Sequence, residues 1–351
     1  MPSINWPTKR FDECIDKIVC TRKIPKKDFL DFGQFPIVSQ ESKITNGYWN
    51  NQNDLFQIKK PVIIFGDHTK VLKFIDFDFV LGADGVKILS PKSFLDPKFF
   101  YYCLQSFELK SLGYARHYRL LKGILIPTPP LTEQQRIVAI LDTVFAGIEK
   151  AKENTKKNLQ NAKELFASYL ECIDAKQEEL GSLVMITTGK LNSNAAIEHG
   201  TYPFFTCSRD TFRIDTFAFD SEAILLAGNN ASGDFNVKHY KGKFNAYQRT
   251  YVITVNKENK ILYRYLYFQM LKSLKDFKTK SVGSGTKFLK LGMIQKMPIA
   301  LPNITEQKSI IDKLDSLLAK TKQLEVTYQQ KLLDLEELKK SVLKKAFSGE
   351  L

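Results

Sequence analysis

The feature that most constrains the fold of this chain is an internal repeat with an offset of 173 residues. The residues that recur are Ile126, Pro129, Thr132, Glu133, Gln134, Ile137, Leu141, Asp142, Leu159, Leu165 and Leu170, matched by Ile299, Pro302, Thr305, Glu306, Gln307, Ile310, Leu314, Asp315, Leu332, Leu338 and Leu343. A repeat of this length implies one structural unit used twice. The chain therefore has two related halves.

Each copy of the repeat predicts a long amphipathic helix. An apolar run ends in proline, a threonine (Thr132 or Thr305) is placed to cap the helix, and a Glu-Gln pair follows in its first turn. Apolar residues then recur every three or four positions over about 40 residues, a heptad pattern that predicts a rod of roughly 60 Å. A simpler interpretation, ordinary core helices of one globular domain, fits the length and the charged flanks less well.

The repeated apolar and glutamine positions are the candidates for contacts between the helices and with partner subunits. They are Gln134, Ile137, Leu141, Val144, Ile148, Leu165, Gln307, Ile310, Leu314, Leu317, Leu324 and Leu338. We expect the two helices to pair as an antiparallel coiled coil and to offer their remaining apolar faces to another protein.

The charge is distributed in blocks that follow this repeat. Residues 1–130 carry 19 basic and 13 acidic side chains, and residues 178–303 are also strongly basic. The intervening segments, 131–177 and 304–351, are nearly neutral. The formal net charge of +14 favours a polyanionic partner over an acidic small substrate. The boundaries predict two recognition domains, at 1–130 and 178–303, each followed by a spacer helix.

The basic blocks have the pattern of mixed α/β domains, so the fold class is α+β with internal pseudo-symmetry. In the first block, strands are predicted at 36–38, 62–65, 74–79 and 86–89, followed by a helix that starts at Asp96-Pro97. The second block repeats this order more weakly, with strands at 203–205, 223–226 and 251–255 and a helix over 263–271.

Catalytic and metal-binding signatures are missing from the sequence. The five cysteines form no Cys-x-x-Cys pair, the four histidines do not cluster with them, and no phosphate-binding glycine loop or nucleophile elbow is found. Gly66-Asp67-His68 invites an acid/base interpretation, but no nucleophile or second carboxylate accompanies it. Without a run of membrane-spanning length, we expect a soluble, cytoplasmic protein with reduced thiols.

The loops of the basic blocks instead carry groups suited to nucleic acid. Glycine allows close backbone approach to a phosphate, Lys and Arg neutralise it, and Arg, Asn and Gln can form paired hydrogen bonds with base edges. The candidate DNA-binding residues are His68, Thr69, Lys70, Arg116, His117 and Arg119 in the first block, and Lys190, Asn229, Asn230, Arg249, Ser284, Thr286 and Lys287 in the second. Each loop alone is a weak indication; the set favours nucleic-acid binding.

The duplicated pattern of apolar run, proline, Thr-Glu-Gln and heptad helix, which separates two variable basic blocks, resembles the specificity subunits of Type I restriction-modification systems. Gln134-Gln135-Arg136-Ile137-Val138 and the end of the sequence, Ala346-Phe347-Ser348-Gly349-Glu350-Leu351, carry the resemblance most clearly. The second copy departs from the first, with Lys308-Ser309 in place of Gln135-Arg136.

This resemblance implies a subunit without enzyme activity or a bound cofactor of its own. It would read a split, asymmetric site on double-stranded DNA, one part per basic domain, and position two methylation subunits that use S-adenosylmethionine on adenine. Restriction subunits could join them. Two alternatives stay open from the residues: a methyltransferase or nuclease with an unrecognised site, and a coiled-coil scaffold with two protein-binding domains.

Overall fold

The computed structural model describes residues 6–113, 115–256 and 260–351, so the first residues of the predicted first recognition domain lie outside the described part. The chain divides into two compact units. Unit 1 comprises the described residues up to Thr155 together with Gln330–Leu351, and unit 2 comprises Lys156–Gln329. Each unit thus combines one mixed α/β body with a part of each long helix.

Unit 1 is built from several small sheets. Its strands are β1 (Thr8–Arg10), β2 (Lys23–Ile24), β3 (Phe35–Val38), β4 (Gly47–Trp49), β5 (Leu55–Phe56), β6 (Val62–Gly66), β7 (Leu72–Ile75), β8 (Phe79–Gly82), β9 (Val86–Leu89) and β10 (Leu125–Pro127). Its helices are α1 (Phe11–Cys14), α2 (Pro97–Ser106), α3 (Tyr118–Leu121) and the first part of α4 (Leu131–Glu171). The five strands β2 to β5 and β8 form one sheet, in which β5 and β3 both pair with β8, and β7-β6-β9 form another.

Unit 2 is built on a larger sheet. Its strands are β11 (Gln177–Glu179), β12 (Val184–Thr188), β13 (Tyr202–Phe205), β14 (Phe212–Ile214), β15 (Phe219–Ala227), β16 (Asn229–Asn230), β17 (Val237–Ala246), β18 (Thr250–Val255), β19 (Lys287–Phe288) and β20 (Pro298–Ala300). Its helices are α5 (Leu180–Leu183), α6 (Tyr263–Lys280), α7 (Leu291–Gln295) and most of α8 (Ile304–Ser348). Six strands pair in the order β12-β18-β15-β17-β13-β14, and α6 packs on β15 and β17.

The two units share a scaffold, which confirms the predicted duplication. In each, a strand at the start of the body pairs antiparallel with the strand that leads into a long helix: β1 with β10, and β11 with β20. A four-residue helix follows the first strand of each pair. Most predicted strands are present, but the stretch 74–79 is split between β7 and β8, and the helix predicted over 263–271 continues to Lys280.

Thr132 and Thr305 do not cap the long helices, so that prediction is wrong. The helix α8 begins at Ile304, and the residue before it forms a capping box: the Asn303 side chain accepts from the Glu306 N–H (3.0 Å), and the Glu306 carboxylate accepts from the Asn303 N–H (3.1 Å). The helix α4 begins at Leu131, directly after Pro130. Each threonine therefore lies inside the first turn.

The glutamine of each Thr-Glu-Gln motif attaches the long helix to the body of its unit. Gln134 is fully buried; its side-chain oxygen accepts from the Asp96 N–H (2.8 Å), and its amide donates to the carbonyls of Phe94 (2.9 Å) and Pro129 (2.8 Å). Of these residues, Phe94 and Asp96 lie just before α2. Gln134 is saturated within unit 1, which corrects its assignment to a partner contact.

Gln307 makes the same three contacts in unit 2. It is also fully buried, accepts from the Leu262 N–H (2.9 Å), and donates to the carbonyls of Lys260 (2.8 Å) and Pro302 (2.9 Å). Gln307 therefore joins α8 to the start of α6 and, like Gln134, is not available to a partner subunit.

The repeated aspartate lies about two helical turns after the glutamine, and it has different partners in the two units. Asp142 binds Lys98 (2.7 Å) and accepts from the Tyr102 hydroxyl (2.5 Å), both on α2. Asp315 accepts from the guanidinium of Arg264 on α6, with Nε at 2.9 Å. A helix of the body thus supplies the cation in both cases.

Within each unit the parts of α4 and α8 run antiparallel. In unit 1, Lys152 pairs with Glu336 (2.6 Å), and Ile137, Leu141 and Ile148 share a core cluster with Leu343. In unit 2, Lys163 pairs with Glu325 (3.0 Å).

The predicted seam residues divide into those that pack and those that do not. Ile137, Leu141, Ile148 and Leu314 are buried, and Val144, Ile310 and Leu317 are half-buried. Leu165, Leu324 and Leu338 are exposed, which corrects their assignment to the contact between the helices. In unit 2 the neighbours Phe166 and Leu170 pack instead, because α4 there contacts Phe268 of α6 as well as α8. A partner subunit as the cover for the three exposed leucines stays a prediction.

A lysine is buried beneath a loop of unit 1. Lys73, on β7, is 1% exposed, and its amine donates to the Lys43 carbonyl and to the Asn46 side-chain oxygen (3.0 Å). Asn46 also accepts from the Ser39 N–H (2.9 Å). Burial lowers the pKa of the Lys73 amine to about 8. The amine therefore fixes the loop 39–46 at the cost of desolvating a cation.

We predict that replacement of Gln307 destabilises unit 2. The Gln307→Ala substitution leaves two carbonyls and one N–H without their partner, and each buried unsatisfied group costs about 1–3 kcal/mol. Gln323, exposed on the same helix, provides the control Gln323→Ala. Urea unfolding should show a drop in unfolding free energy of at least about 2 kcal/mol for the first variant and little change for the second. Equal effects would contradict the attachment role.

We predict that Lys73 makes the stability of unit 1 rise with pH. Because its pKa is lowered to about 8 in the folded state, the folded chain releases this proton before the unfolded chain does, at pH values between about 8 and 10.5. The folding penalty is thus complete below pH 8 and is relieved as the pH rises. Relative to Lys73→Met, the wild-type chain should gain about 2–3 kcal/mol between pH 7 and pH 10 in urea unfolding. A difference that stays constant would show that the amine is not desolvated.

Candidate nucleic-acid interface

The candidate DNA-binding residues of unit 2 lie on four segments that are far apart in the sequence but meet on one surface. The segments 189–192 and 247–250 are joined by backbone hydrogen bonds, Gly189 N–H to Thr250 O (3.3 Å) and Gln248 N–H to Leu191 O (2.9 Å). The Gly228 N–H donates to Arg249 O (2.9 Å), which adds the segment 228–234. We call these segments, with 283–288, the unit 2 loop surface.

The fourth segment is attached through a short two-stranded sheet. β16 pairs antiparallel with β19, so that Asn229 lies opposite Phe288 and Asn230 opposite Lys287. The Leu289 N–H donates to Gly228 O (2.9 Å), which ties the same segment to the loop of Arg249. The structure thus brings together all seven candidates of the second block.

The side chains of this surface have a mixed basic and amide character. Lys190, Arg249 and Ser284 are exposed, whereas Asn229, Asn230, Thr286 and Lys287 are half-buried. The Arg249 guanidinium lies over the Phe288 ring, 5.3 Å from its centroid, a cation–π contact that restricts its direction. The Asn230 side chain accepts from the N–H groups of Ser232 (2.9 Å) and Asp234 (3.0 Å) and therefore shapes its own turn.

Two glycines are required where these loops approach each other. A Cβ on Gly189 would lie 1.9 Å from Ala246 O, and a Cβ on Gly228 would lie 2.4 Å from Arg249 O. Any side chain would push the segments apart. By contrast, a Cβ on Gly285 would meet nothing within 4 Å.

Sequence reasoning missed several members of the unit 2 loop surface. Phe288 directly follows the candidate Lys287. Arg209 and Asp234 lie on two different turns, each of which has the composition of an ordinary solvated loop. Arg209 binds Asp234 at 2.6 Å, beside Asn230. The glycine-rich context of Asp234 was the available signal; for Arg209 there was none.

In unit 1 the two segments that carry the candidate residues, 66–70 and 115–119, also meet. The carbonyl oxygen of Asp67 accepts from the His117 N–H (2.8 Å), and the Asp67 carboxylate accepts from the Tyr118 N–H (2.7 Å). The exposed side chains Thr69, Arg116 and Arg119, together with half-buried His68 and Lys70, therefore belong to neighbouring segments.

The loop 66–70 of unit 1 is held by polar contacts with its surroundings. The Thr69 hydroxyl donates to Gln40 O (2.7 Å), and the Lys70 amine donates to Leu109 O (3.3 Å). The His68 ring lies against Gly85, where a Cβ would come within 2.7 Å of the ring. Gln40, which lies two residues after the end of β3, also belongs to this surface and was not among the predicted residues.

His117 has a structural place, which corrects its assignment to DNA contact. It is 1% exposed, its Nε2 accepts from the Leu112 N–H (3.0 Å), and its Nδ1–H donates to Asp67 O (2.9 Å). Both ring nitrogens are therefore occupied. Asp67 is equally buried and bonded to backbone, so the acid/base interpretation of Gly66-Asp67-His68 does not fit the structure either.

Two features that the described residues lack bear on the class of site. Across residues 6–113, 115–256 and 260–351, no group of three or more His, Cys, Asp or Glu side chains is arranged to hold a metal ion. Within the same described ranges, no helix has the length and apolarity needed to cross a bilayer.

Comparison with known proteins identifies the family. A sequence model of the Type I restriction modification DNA specificity domain matches residues 3–159 and again residues 173–333. The specificity subunit of the Type I restriction enzyme EcoDI of Escherichia coli is 41% identical over 179 residues, which cover 51% of this chain and 39% of that subunit. The chain thus matches less than half of the EcoDI subunit. The EcoR124I/EcoR124II specificity subunit of Escherichia coli is 24% identical over 331 residues, 83% of this chain and 81% of the relative.

Solved structures share the fold over the full length. One, from work on complex assembly and conformational transition of the type I R-M system, has a TM-score of 0.74 at 17% identity and covers 100% of this chain and 99% of its own. The HsdS subunit from Thermoanaerobacter tengcongensis has a TM-score of 0.56 at 16% identity, with 100% and 98% covered. Because the family model matches twice, once on each half of a duplicated fold, the chain belongs to the Type I restriction modification DNA specificity family.

Proposed function

We propose that the chain reads a two-part site on double-stranded DNA, with one part contacted by each unit. The observation that carries the proposal is the unit 2 loop surface, where four segments with Arg, Lys and Asn side chains are joined by backbone hydrogen bonds. Such groups neutralise phosphates and bond base edges. Family membership and the basic character of both bodies support the same function.

The units are suited to different base sequences because their loops differ while their scaffold repeats. Among the candidates on the joined loops of unit 1, the exposed groups are Thr69, Arg116 and Arg119, whereas the unit 2 loop surface includes the adjacent amides Asn229 and Asn230. Since amide and guanidinium groups bond different base edges, each surface fits its own half-site. An asymmetric site is the expected result.

The chain would act as the non-catalytic subunit of a cytoplasmic enzyme complex. Its partners would be two methylation subunits, which would carry S-adenosylmethionine and modify adenine, and restriction subunits could join them. The exposed Leu165, Leu324 and Leu338 on the long helices supply apolar surface for such partners. The candidate residues of this chain would orient DNA rather than take part in bond formation.

We predict that Arg249→Ala relaxes base preference in one half-site alone. Loss of a two-bond contact with a base costs about 1–3 kcal/mol. Arg249→Lys retains the charge without the planar fork, so it should restore general affinity but not base preference. Sequencing of adenine methylation in a host that expresses the chain with its methylation subunits measures both half-sites.

The matched control for Arg249→Ala is Lys241→Ala, which removes the same charge from a side chain that is 79% exposed and pairs with Glu222, away from the four segments. It should leave the methylated sequence unchanged. If Arg249→Ala altered both half-sites equally, the division between units would be wrong. If it altered neither, the unit 2 loop surface would not be the reading surface.

We predict that Gly228→Ala weakens both the stability of unit 2 and its DNA binding, because the added methyl forces the loop of Arg249 to move. Overpacking of this kind costs about 1–3 kcal/mol. Gly285→Ala, in open space on the same surface, should keep the melting temperature of the wild-type chain. Calorimetry and binding to a duplex carrying the methylated site provide the two measurements. If the Gly228→Ala variant is destabilised but its DNA affinity is unchanged, the joined loops do not contribute to DNA recognition.

A further inference from the structure

A fifth segment, 206–210, also belongs to the unit 2 loop surface. The Cys207 thiol donates to Arg249 O (3.3 Å), and the Asn236 side-chain amide donates to Cys207 O (2.9 Å). The segment therefore lies beside the arginine that carries the proposed function. Its exposed side chains are Arg209 and Asp210.

Arg209 is held by an acidic residue of the neighbouring loop. Its guanidinium donates to the Asp234 carboxylate at 2.6 Å, and the two side chains are 69% and 56% exposed. The Asp234 N–H is bonded to the Asn230 side chain (3.0 Å), so the carboxylate is fixed next to a candidate DNA-binding residue. The hydrogen bond from Arg209 lowers the pKa of the Asp234 carboxyl, which is therefore ionised at neutral pH.

The segment that carries Arg209 is an ordered part of the fold. The Lys238 amine donates to the carbonyls of Ser208 (2.7 Å) and Asp210 (3.0 Å), on both sides of Arg209. Burial lowers the pKa of this amine, so the contact that holds the segment carries the cost of desolvating a cation. Arg209 is thus placed opposite Asp234 by the backbone.

A carboxylate is unfavourable on a surface that approaches phosphates, since like charges repel. Non-specific binding to DNA depends on the number of phosphates that Lys and Arg neutralise. An arginine that is paired with a carboxylate contributes nothing to that number. An exposed pair is worth only about 0–1 kcal/mol, so well-placed DNA groups can replace the carboxylate as the partner of the arginine.

We propose that Asp234 is a specificity-determining residue, which binds Arg209 in the DNA-free chain and thereby keeps this guanidinium off the phosphates of non-cognate DNA. The proposal rests on the proposed function, since it requires that the unit 2 loop surface faces DNA. At the cognate site, Arg209 exchanges its partner for a DNA group. Asp234 thus increases the ratio of cognate to non-cognate DNA affinity and does not increase the cognate affinity itself.

The test is the salt dependence with which the full chain binds a duplex of random sequence. In Asp234→Asn, the released Arg209 should add one phosphate contact, so the plot of log affinity against log salt concentration should become steeper by about one. The ratio of cognate to random affinity should fall accordingly. Asp220→Asn, a change of the same charge at an exposed position on β15, should leave the slope as in the wild-type chain.

Repetition in the Arg209→Ala background shows whether Asp234 acts through Arg209. There, Asp234→Asn should no longer change the slope. Three results would overturn the proposal. The slope could stay unchanged in Asp234→Asn, it could change equally in Asp220→Asn, or its change could persist in the Arg209→Ala background. If the proposed function itself is wrong, Arg249→Ala leaves DNA binding intact. If Arg249→Ala weakens DNA binding but Asp234→Asn has no effect on the slope, only the role of Asp234 is wrong.

Discussion

Gln134 and Gln307 lie in the first turn of α4 and of α8. Each has a fully buried primary amide whose donors and acceptor all bond to backbone groups of its own unit. A buried amide that lost these partners would cost more than the three bonds contribute, because unsatisfied groups cannot recover bonds with water. The start of each long helix must therefore lie against the residues that precede α2 or α6. β10 and β20, which lead into these helices, are in addition paired antiparallel with β1 and β11.

The loops depend on this attachment. In unit 2, β15, β17 and β18 form the centre of the sheet on which α6 packs, and the segments that carry Asn229, Arg249 and Asp234 connect or end these strands. Each loop is then joined to the next by one or two backbone hydrogen bonds. Recognition residues on loops gain accuracy from such a scaffold, since a rigid body limits their movement.

The sequence allowed the duplication, the long helices and most strands to be predicted, because these depend on periodic patterns that one residue does not alter. The direction in which side chains point was predicted less well. Leu165 fits the heptad pattern, but Phe166 and Leu170 are the residues that pack in the core. The reason is that Phe268 of α6 contacts this part of α4, which no local sequence pattern indicates. The candidate loops of each unit do meet. Yet His117 is buried and Arg209 went unnoticed, because hydrogen bonds with Asp67 and Asp234 join residues far apart in the sequence.

The repeated aspartates show how the two halves can diverge without losing their fold. Asp142 and Asp315 occupy equivalent positions, but the first binds Lys98 and Tyr102, whereas the second binds Arg264, which also lies over the Tyr267 and Phe268 rings. What is kept is a carboxylate on the long helix and a cation on the helix of the body; the identity of the cation is not. The cation that binds the repeated aspartate can therefore be replaced without loss of the fold. Loop residues make fewer packing contacts, so their replacement should affect the fold even less. Under the proposed function, a duplicated scaffold with independently varying loops would let one chain contact two unlike DNA sequences.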